Sequence, residues 1–312
     1  MKPAIVVVGS ANTDFVVHVS QLPARGETIL GGQFQIAQGG KGANQAVAAA
    51  RLGGEVTFIA RLGADNLGRE ALQAYRDEGV HTGFVRLDEV EPSGVALILV
   101  DENGENLIAV APGANHHLSP EDVQAAESAI RKADCLLLQL EIPLETARTA
   151  IEIADHNHVR TILNPAPARR IPFDFFQHID ILTPNEMEAA TLAGELSSSE
   201  ERDPLSFLAI QTNVPTLIET LGSNGARVLS NGQESYMPAF QVKPVDTTAA
   251  GDAFNGALVV ALASGRSMAE AVRYANAAGA LATTRAGAQP SLPTQGELEQ
   301  FLSNAQLKEQ IH

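Results

Sequence analysis

Residues Asn44–Val80 read NQAVAAARLGGEVTFIARLGADNLGREALQAYRDEGV, and this stretch decides the fold. NQAVAAARLG spaces its apolar residues as a helix does and ends on glycine. VTFIA is a short, continuously apolar run, the pattern of a strand buried on both faces. GREALQAYRDEGV returns to helical spacing. A strand enclosed by helices on either side in sequence belongs to a parallel sheet covered on both faces.

The same rhythm runs outward along the chain. AIVVV, CLLLQL, TIL, IDIL, TLIE and ARVL read as further strands, and FQVKPV as a strand before the last glycine-rich motif. SPEDVQAAESAIRKA reads as one helix, opened by a capping box from Ser119 to Asp122 with proline in its first turn. The expected class is α/β, with a mainly parallel central sheet and helices on both faces. Two segments break the rhythm. FVVHVSQLPARGETILGGQFQIAQ has β-type residues and turn signals but no helix, and SGVALILVDENGENLIAVAPGAN reads as a hairpin around DENGEN. Together, from about 12–42 and about 93–112, they predict a small discontinuous β lid on a single domain spanning 1–312. GELSSSEERDP (Gly194–Pro204) predicts a polar surface connection, and the last sixteen residues a terminal helix with a frayed end.

Composition narrows the function. A net charge of −16 with no basic run argues against nucleic acid and acidic membrane surfaces. The single cysteine, Cys135, sits inside an apolar strand pattern and reads as a buried hydrophobe. The opening MKPAIVVVGS is too short in its apolar run for a secretory signal, and no run reaches membrane-spanning length. A soluble, cytoplasmic protein is expected.

The polar motifs share one position. GSANTD, GAD, Glu141, NPAP, TPNE and TLGSNG each follow a strand. Parallel strands put their carboxyl ends on one edge, and open α/β sheets bind ligands in the crevice there. GGKGAN (Gly39–Asn44) is not a Walker-type phosphate loop, because Gln35 and Gly42 stand where glycine and Ser/Thr are required. It reads either as a plain turn or as a glycine turn that brings backbone close to a small polar ligand. TLGSNG could wrap a nucleotide or turn a hairpin. In TPNE, Glu186 and Glu188 suit a helix N-terminus, or could organise a metal through water. His116, His117, His156 and His158 lack metal-ligand spacing and read as surface residues.

VDTTAAGDAFNGALVVAL (Val245–Leu262) carries the chemistry. Small residues at a helix start leave the first amides open to an anion. An aspartate beside them, Asp252, either caps the helix or takes a proton from an attacking hydroxyl.

GSANTD, GGKGANQAVAAARLG, GADNLG, NPAPA, TPNEMEA, TLGSNGA and VDTTAAGDAFNGAL occur here in the order and spacing of the ribokinase-like family of sugar kinases. The resemblance runs from Val6 to about Pro293. It implies ATP-dependent phosphorylation of the 5-hydroxyl of D-ribose to ribose 5-phosphate. Deoxyribose, fructose or a nucleoside is the alternative acceptor. By resemblance, Asn12, Asp14, Gly40, Lys41, Asn44 and Glu141 bind the sugar and Asp252 is the base. Ala249, Ala250 and Gly251 form the anion hole, Gly251 also touching ATP. Asn185 and Glu188 organise ATP and Mg2+, the latter through water. Thr220, Leu221, Gly222, Ser223, Asn224 and Gly225 make the nucleotide loop, with Asn276 on the adenine side. A monovalent cation, normally K+, falls to Asp246, Thr248, Ala282, Arg285, Gly287 and Ser291. Many members have glycine where this chain has Ala249. The family also pairs its lids, implying a homodimer.

Overall fold

The computed structural model describes residues 2–102, 105–194 and 203–309. The chain opens with β1 (Ala4–Val8), β2 (Asn12–His18) and β3 (Gln33–Gly39), then α1 (Lys41–Arg51) and β4 (Glu55–Gly63). Next come α2 (Asn66–Asp77), β5 (His81–Asp88), β6 (Gly94–Val100) and β7 (Asn106–Ala111). The middle contains α3 (Pro120–Ala125), α4 (Glu127–Ile130), β8 (Cys135–Leu138), α5 (Leu144–His156), β9 (Arg160–Leu163) and β10 (Ile181–Leu182). It continues through α6 (Glu186–Ala193), α7 (Pro204–Thr212), β11 (Thr216–Thr220), β12 (Ala226–Ser230) and β13 (Gln233–Met237). Three helices close the chain: α8 (Ala250–Ala263), α9 (Met268–Ala282) and α10 (Gln295–Glu309).

Nine strands form the main sheet in the order β13-β12-β11-β10-β9-β8-β1-β4-β5. From β11 to β5 every pairing is parallel; β12 and β13 return antiparallel. The continuous apolar runs have a direct cause. Ile5 and Val7 of β1, with Cys135 and Leu137 of β8, join the core beneath α1, α8 and α9. Val6, Val8, Leu136 and Leu138 join the opposite core, with residues of α5, α6 and α7. Successive side chains point to opposite faces, so a strand covered on both sides has no polar position.

β3-β2-β6-β7 make a separate four-stranded sheet. Its strands fall within the two segments that broke the helical rhythm. Asn103 and Gly104 of DENGEN, and residues 195–202 of the polar connection, lie outside the described residues.

Four details differ from expectation. β5 and β13 were not anticipated, because both are edge strands with exposed polar positions. FQVKPV is not a strand; it runs as coil between β13 and α8. SPEDVQAAESAIRKA breaks at Ala126 (φ −98°, ψ 4°) into α3 and α4, although the capping box is present. α1 begins at Lys41, three residues before the apolar spacing suggests, because Gly40 (φ 86°) turns the chain directly into the helix. His116, His117, His156 and His158 are exposed, and Cys135 is buried.

Candidate active site

Asp252 is not the cap of α8. The N-cap is Ala249, in the left-handed region (φ 59°, ψ 11°), and no side chain caps the helix. That conformation costs a non-glycine residue roughly 1–2 kcal/mol, so the departure from glycine noted in the sequence carries a backbone penalty. Asp252, the third helical residue, turns its carboxylate inward, 7% exposed. There it accepts hydrogen bonds from Asn44 Nδ2 and Gln45 Nε2, both at 2.9 Å. First-turn amides have no preceding helical carbonyl. The N–H of Ala250 bonds Thr247 O at 3.2 Å, whereas those of Gly251 and Asp252 find no backbone acceptor among the described residues. Gly251 therefore has the open donor expected of an anion hole. Ala250 has its amide engaged.

β2 carries Asn12 and Asp14 on one face of the small sheet, toward the start of α1. Asn12 Oδ1 accepts from Asn115 Nδ2 at 2.8 Å. Asn115 is held in turn by the Ala11 N–H and the Pro112 carbonyl. Gly40 is required twice over: its φ is positive, and a Cβ there would lie 2.7 Å from Asn12 N and 2.8 Å from Ala11 Cα. Glu141, just past β8, accepts from Ser10 Oγ at 2.5 Å and Lys41 N at 3.1 Å through one oxygen. Asn44 Oδ1 is buried without a hydrogen-bond partner, an acceptor aimed at no protein donor.

The charges here are strongly coupled. Burial pushes the Asp14 carboxyl up to about 7, with Glu141 and Asp252 adding to the effect. Burial also raises Asp252, against Lys41 and the Asn44 and Gln45 amides, which pull it down. For Lys41, burial lowers the ammonium, but Asp252, Glu141 and Glu188 outweigh it and hold it above its ordinary value. A carboxyl whose folded pKa is raised binds its proton more tightly in the folded state. Its stabilising contribution is then full below the unfolded value of 3.8 and lost as pH rises toward 7. Asp14→Asn is therefore expected to raise Tm at pH 8 by a few degrees, the gain vanishing near pH 4. Thermal melts across that range, without sugar, measure it.

Beyond Gly251 lies a mostly apolar cavity of about 290 Å³. Thr220, Gly222, Ser223, Gly225, Ala250, Gly251 and Asn276 line it, but Leu221 and Asn224, in the same turn, do not. The TLGSNG motif turns the β11–β12 hairpin, as one of its two readings allowed, and also walls this cavity. Gly225 has φ 100°, and a Cβ there would lie 2.1 Å from Met237 O. Asn276 Nδ2 donates to Met237 O and Pro238 O, so its amide fastens the cavity wall and its Oδ1 remains for a ligand. Phe240, Val242 and Pro244 complete the wall from the misread FQVKPV coil, whose apolar residues were the available signal.

Asn185 and Glu188 form a reciprocal capping box on α6. Asn185 Oδ1 accepts the Glu188 N–H at 2.8 Å, and Glu188 Oε2 accepts the Asn185 N–H at 2.9 Å. The cap is thus real and uses only Oε2 of Glu188; burial raises this carboxyl. Asp246 Oδ1 accepts from Thr248 N and Oγ1, and its Oδ2 from Gly287 N at 2.8 Å. This pins the 246–248 loop against the segment after α9. Ala282, the last residue of α9, lies just before that segment, and Ser291 closes it. Ser291 Oγ donates to Ala288 O, and the Arg285 side chain pairs with Glu297, so at 285 only the carbonyl is left for a cation. Oxygen donors of this kind suit a hard cation. Among the described residues, no group of three or more His, Cys, Asp or Glu is placed to hold a metal ion.

Sequence reasoning missed a ring of buried amides around Asp252. Gln45 Nε2 also donates to Asn164 Oδ1 at 3.0 Å, and Gln139 Nε2 donates to Gln45 Oε1 at 2.6 Å. Asn164 Nδ2 donates to Thr183 O at 3.0 Å. Thr183 Oγ1 donates to Asn255 Oδ1 at 2.7 Å, and Asn255 Nδ2 to Gly251 O at 2.8 Å, one residue from Asp252. The signal was present: Gln45 and Gln139 are polar residues inside apolar runs.

A match to the family model described as pfkB family carbohydrate kinase covers residues 2–295, and the chain belongs to that family. It is thus a phosphotransferase with a sugar hydroxyl as acceptor. A ribokinase of Haemophilus influenzae is 42% identical over 98% of this chain and 100% of its own. A deoxyribokinase of Salmonella typhi is 35% identical over 96% of this chain and 98% of its own. A solved Arabidopsis thaliana ribokinase, complexed with ribose and ATP, superposes with a TM-score of 0.86 at 35% identity, covering 97% of this chain and 99% of its own.

Proposed function

We propose that this chain transfers the γ-phosphoryl group of ATP to the 5-hydroxyl of D-ribose, giving D-ribose 5-phosphate and ADP. One observation carries the reading. The Asp252 carboxylate accepts from Asn44 and feels the charges of Lys41, Glu141 and Asp14, while the adjacent residue, Gly251, lines the apolar cavity. A base placed between an acceptor pocket and a nucleotide cavity suits in-line phosphoryl transfer. Relatives and solved neighbours named ribokinase support ribose as the acceptor.

In this reading Asn12, Asp14, Gly40, Lys41, Asn44 and Glu141 orient the sugar. Asp252 takes the proton from the 5-hydroxyl as its oxygen attacks the γ-phosphorus, and the bond to the β-phosphate oxygen breaks to release ADP. The open amide of Gly251, with the helix start formed by Ala249 and Ala250, stabilises charge developing on the transferred group. Lys41, held cationic by its carboxylate neighbours, balances that charge. Thr220, Gly222, Ser223, Gly225 and Asn276 hold the nucleotide. Asn185 and Glu188 would hold Mg2+, the latter through water, and Mg2+ would screen the phosphates. Asp246, Thr248, Ala282, Arg285, Gly287 and Ser291 would hold K+, which would fix the anion-hole loop.

The small sheet is read as a lid over the sugar. On the face away from Asp14 it exposes Phe34, Ile36, Leu97 and Leu107. Such a patch supports pairing of two lids in a homodimer. Dependence on ATP supports a cytoplasmic location.

An ADP-release assay over ribose, 2-deoxyribose, fructose and a nucleoside tests the proposal. Ribose is expected to give the highest kcat/KM. The deoxyribokinase relative favours 2-deoxyribose as the second reading, and preference for it would replace ribose. Exchanging K+ for a bulky organic cation is expected to lower kcat several-fold, since such an ion cannot fit a ring of carbonyl oxygens. Equal rates in both salts would remove the cation site.

A further inference from the structure

A primary amide can present either its oxygen or its nitrogen, and a neighbour decides which. Around Asp252 the decision is made at a distance. The Thr183 carbonyl can only accept, so Asn164 must turn its nitrogen toward it. Asn164 then shows its oxygen to Gln45, and Gln45 must answer with its nitrogen. The second N–H of that nitrogen reaches Asp252 Oδ1 at 2.9 Å. Gln139 Nε2 donates to the Gln45 oxygen, while Gln139 Oε1 is buried with no partner among the described residues, so the orientation is set from the Thr183 side. Gln45 and Gln139 are fully buried. The chain Thr183–Asn164–Gln45 therefore reaches Asp252 with a donor, and cannot reverse without setting the Asn164 oxygen against the Thr183 carbonyl.

We propose that Gln45 is a positioning residue for phosphoryl transfer, holding the Asp252 carboxylate in one orientation as an acceptor through an amide chain anchored on the Thr183 carbonyl. The inference rests on Asp252 being the base. Gln45 lies on the buried face of α1 and acts only through the carboxylate it grips. The other charged groups facing Asp252 are Lys41 at the start of α1, Glu141 past β8, Glu188 on α6 and Asp14 on β2. Gln45's side-chain bonds go to Asn164, Asp252 and Gln139 and to none of these four, so a difference between variants is expected to report the amide.

The test is the pH profile of kcat at saturating ATP and ribose. A hydrogen bond to the ionised form favours that form. Gln45→Met keeps the side-chain length and removes the donor. It is expected to lower kcat roughly 10- to 100-fold and to move the acidic limb up by about one pH unit. KM for both substrates should stay within about threefold. Gln45→Glu keeps the shape but sets a second carboxylate against Asp252, and should move the limb further in the same direction. It serves where the methionine variant is poorly folded. Asn164→Leu, which does not touch Asp252, should give a smaller shift of the same sign. An acidic limb unmoved in the Gln45 variants would overturn the proposal while leaving the base assignment standing. Activity retained in Asp252→Asn would overturn both.

Discussion

Asp252→Asn is expected to lower kcat by about three orders of magnitude, within the range of about 10²–10⁴ that a positioned base contributes. KM for sugar and ATP should change little. The asparagine keeps the volume of the aspartate but cannot take a proton. It also meets donors on both sides. Asn44 Nδ2 and Gln45 Nε2 each approach a different oxygen of the wild-type carboxylate. An amide offers them one oxygen, so one donor must face another. The fold should tolerate this, because the substitution also removes a buried charge whose pKa burial had raised. A normal melting curve with lost turnover would separate chemistry from folding. Activity within about tenfold of wild type would remove Asp252 from the role of base.

The sequence allowed two jobs for Asp252, cap or catalyst. The structure gives the cap to the backbone of Ala249 and turns the Asp252 carboxylate the other way. From sequence, an aspartate within two or three residues of a helix start looks the same in both cases, because the difference lies in residues some two hundred positions away. Asn44 and Gln45 reach it from α1. Glu188 shows the reverse lesson: read as either cap or metal organiser, it does cap its helix, and the cap uses one of its two oxygens. A carboxylate has two oxygens, so a structural role does not exhaust it.

The parallel sheet was readable because strands buried on both faces have no polar alternation to confuse with a helix. VTFIA and CLLLQL announced themselves for that reason. HTGFVRLD and QESYM did not, since edge strands mix polar and apolar residues and carry no strong period. FQVKPV misled for a related reason: its apolar residues line the cavity from a coil, and burial against a ligand site resembles burial in a sheet. The amide ring was the least readable part. Each member is an ordinary Gln or Asn, and only the fold brings β8, β9, β10, α1 and α8 together around one carboxylate.

Gly42→Ala is expected to damage both the fold and turnover. Gly42 is helical and needs no unusual φ, so local propensity would favour alanine. The obstacle is the crossing of two backbones. An added Cβ would lie 2.5 Å from Ser10 N, 2.6 Å from Gly9 C and 2.7 Å from Gly9 Cα. Side chains can rotate away from an intruding methyl, but backbone atoms of β1's exit loop cannot. The neighbours are also committed: Ala43 N bonds Ser10 O at 2.8 Å, and Ser10 Oγ bonds Glu141. Relief therefore requires α1 to move off the sheet edge, carrying Lys41, Asn44 and Gln45 away from Asp252. Overpacking of this kind costs about 3 kcal/mol, which lowers Tm by roughly 4–5 °C in a chain of this size. Turnover should fall with it even below the melting temperature, because the residues around the base shift together. Calorimetry and an ADP-release assay on the same preparation measure both. A variant with unchanged Tm and full activity would show that α1 and the β1 exit loop are not locked together, and the glycine motif would then owe its form to the ligand rather than to this crossing.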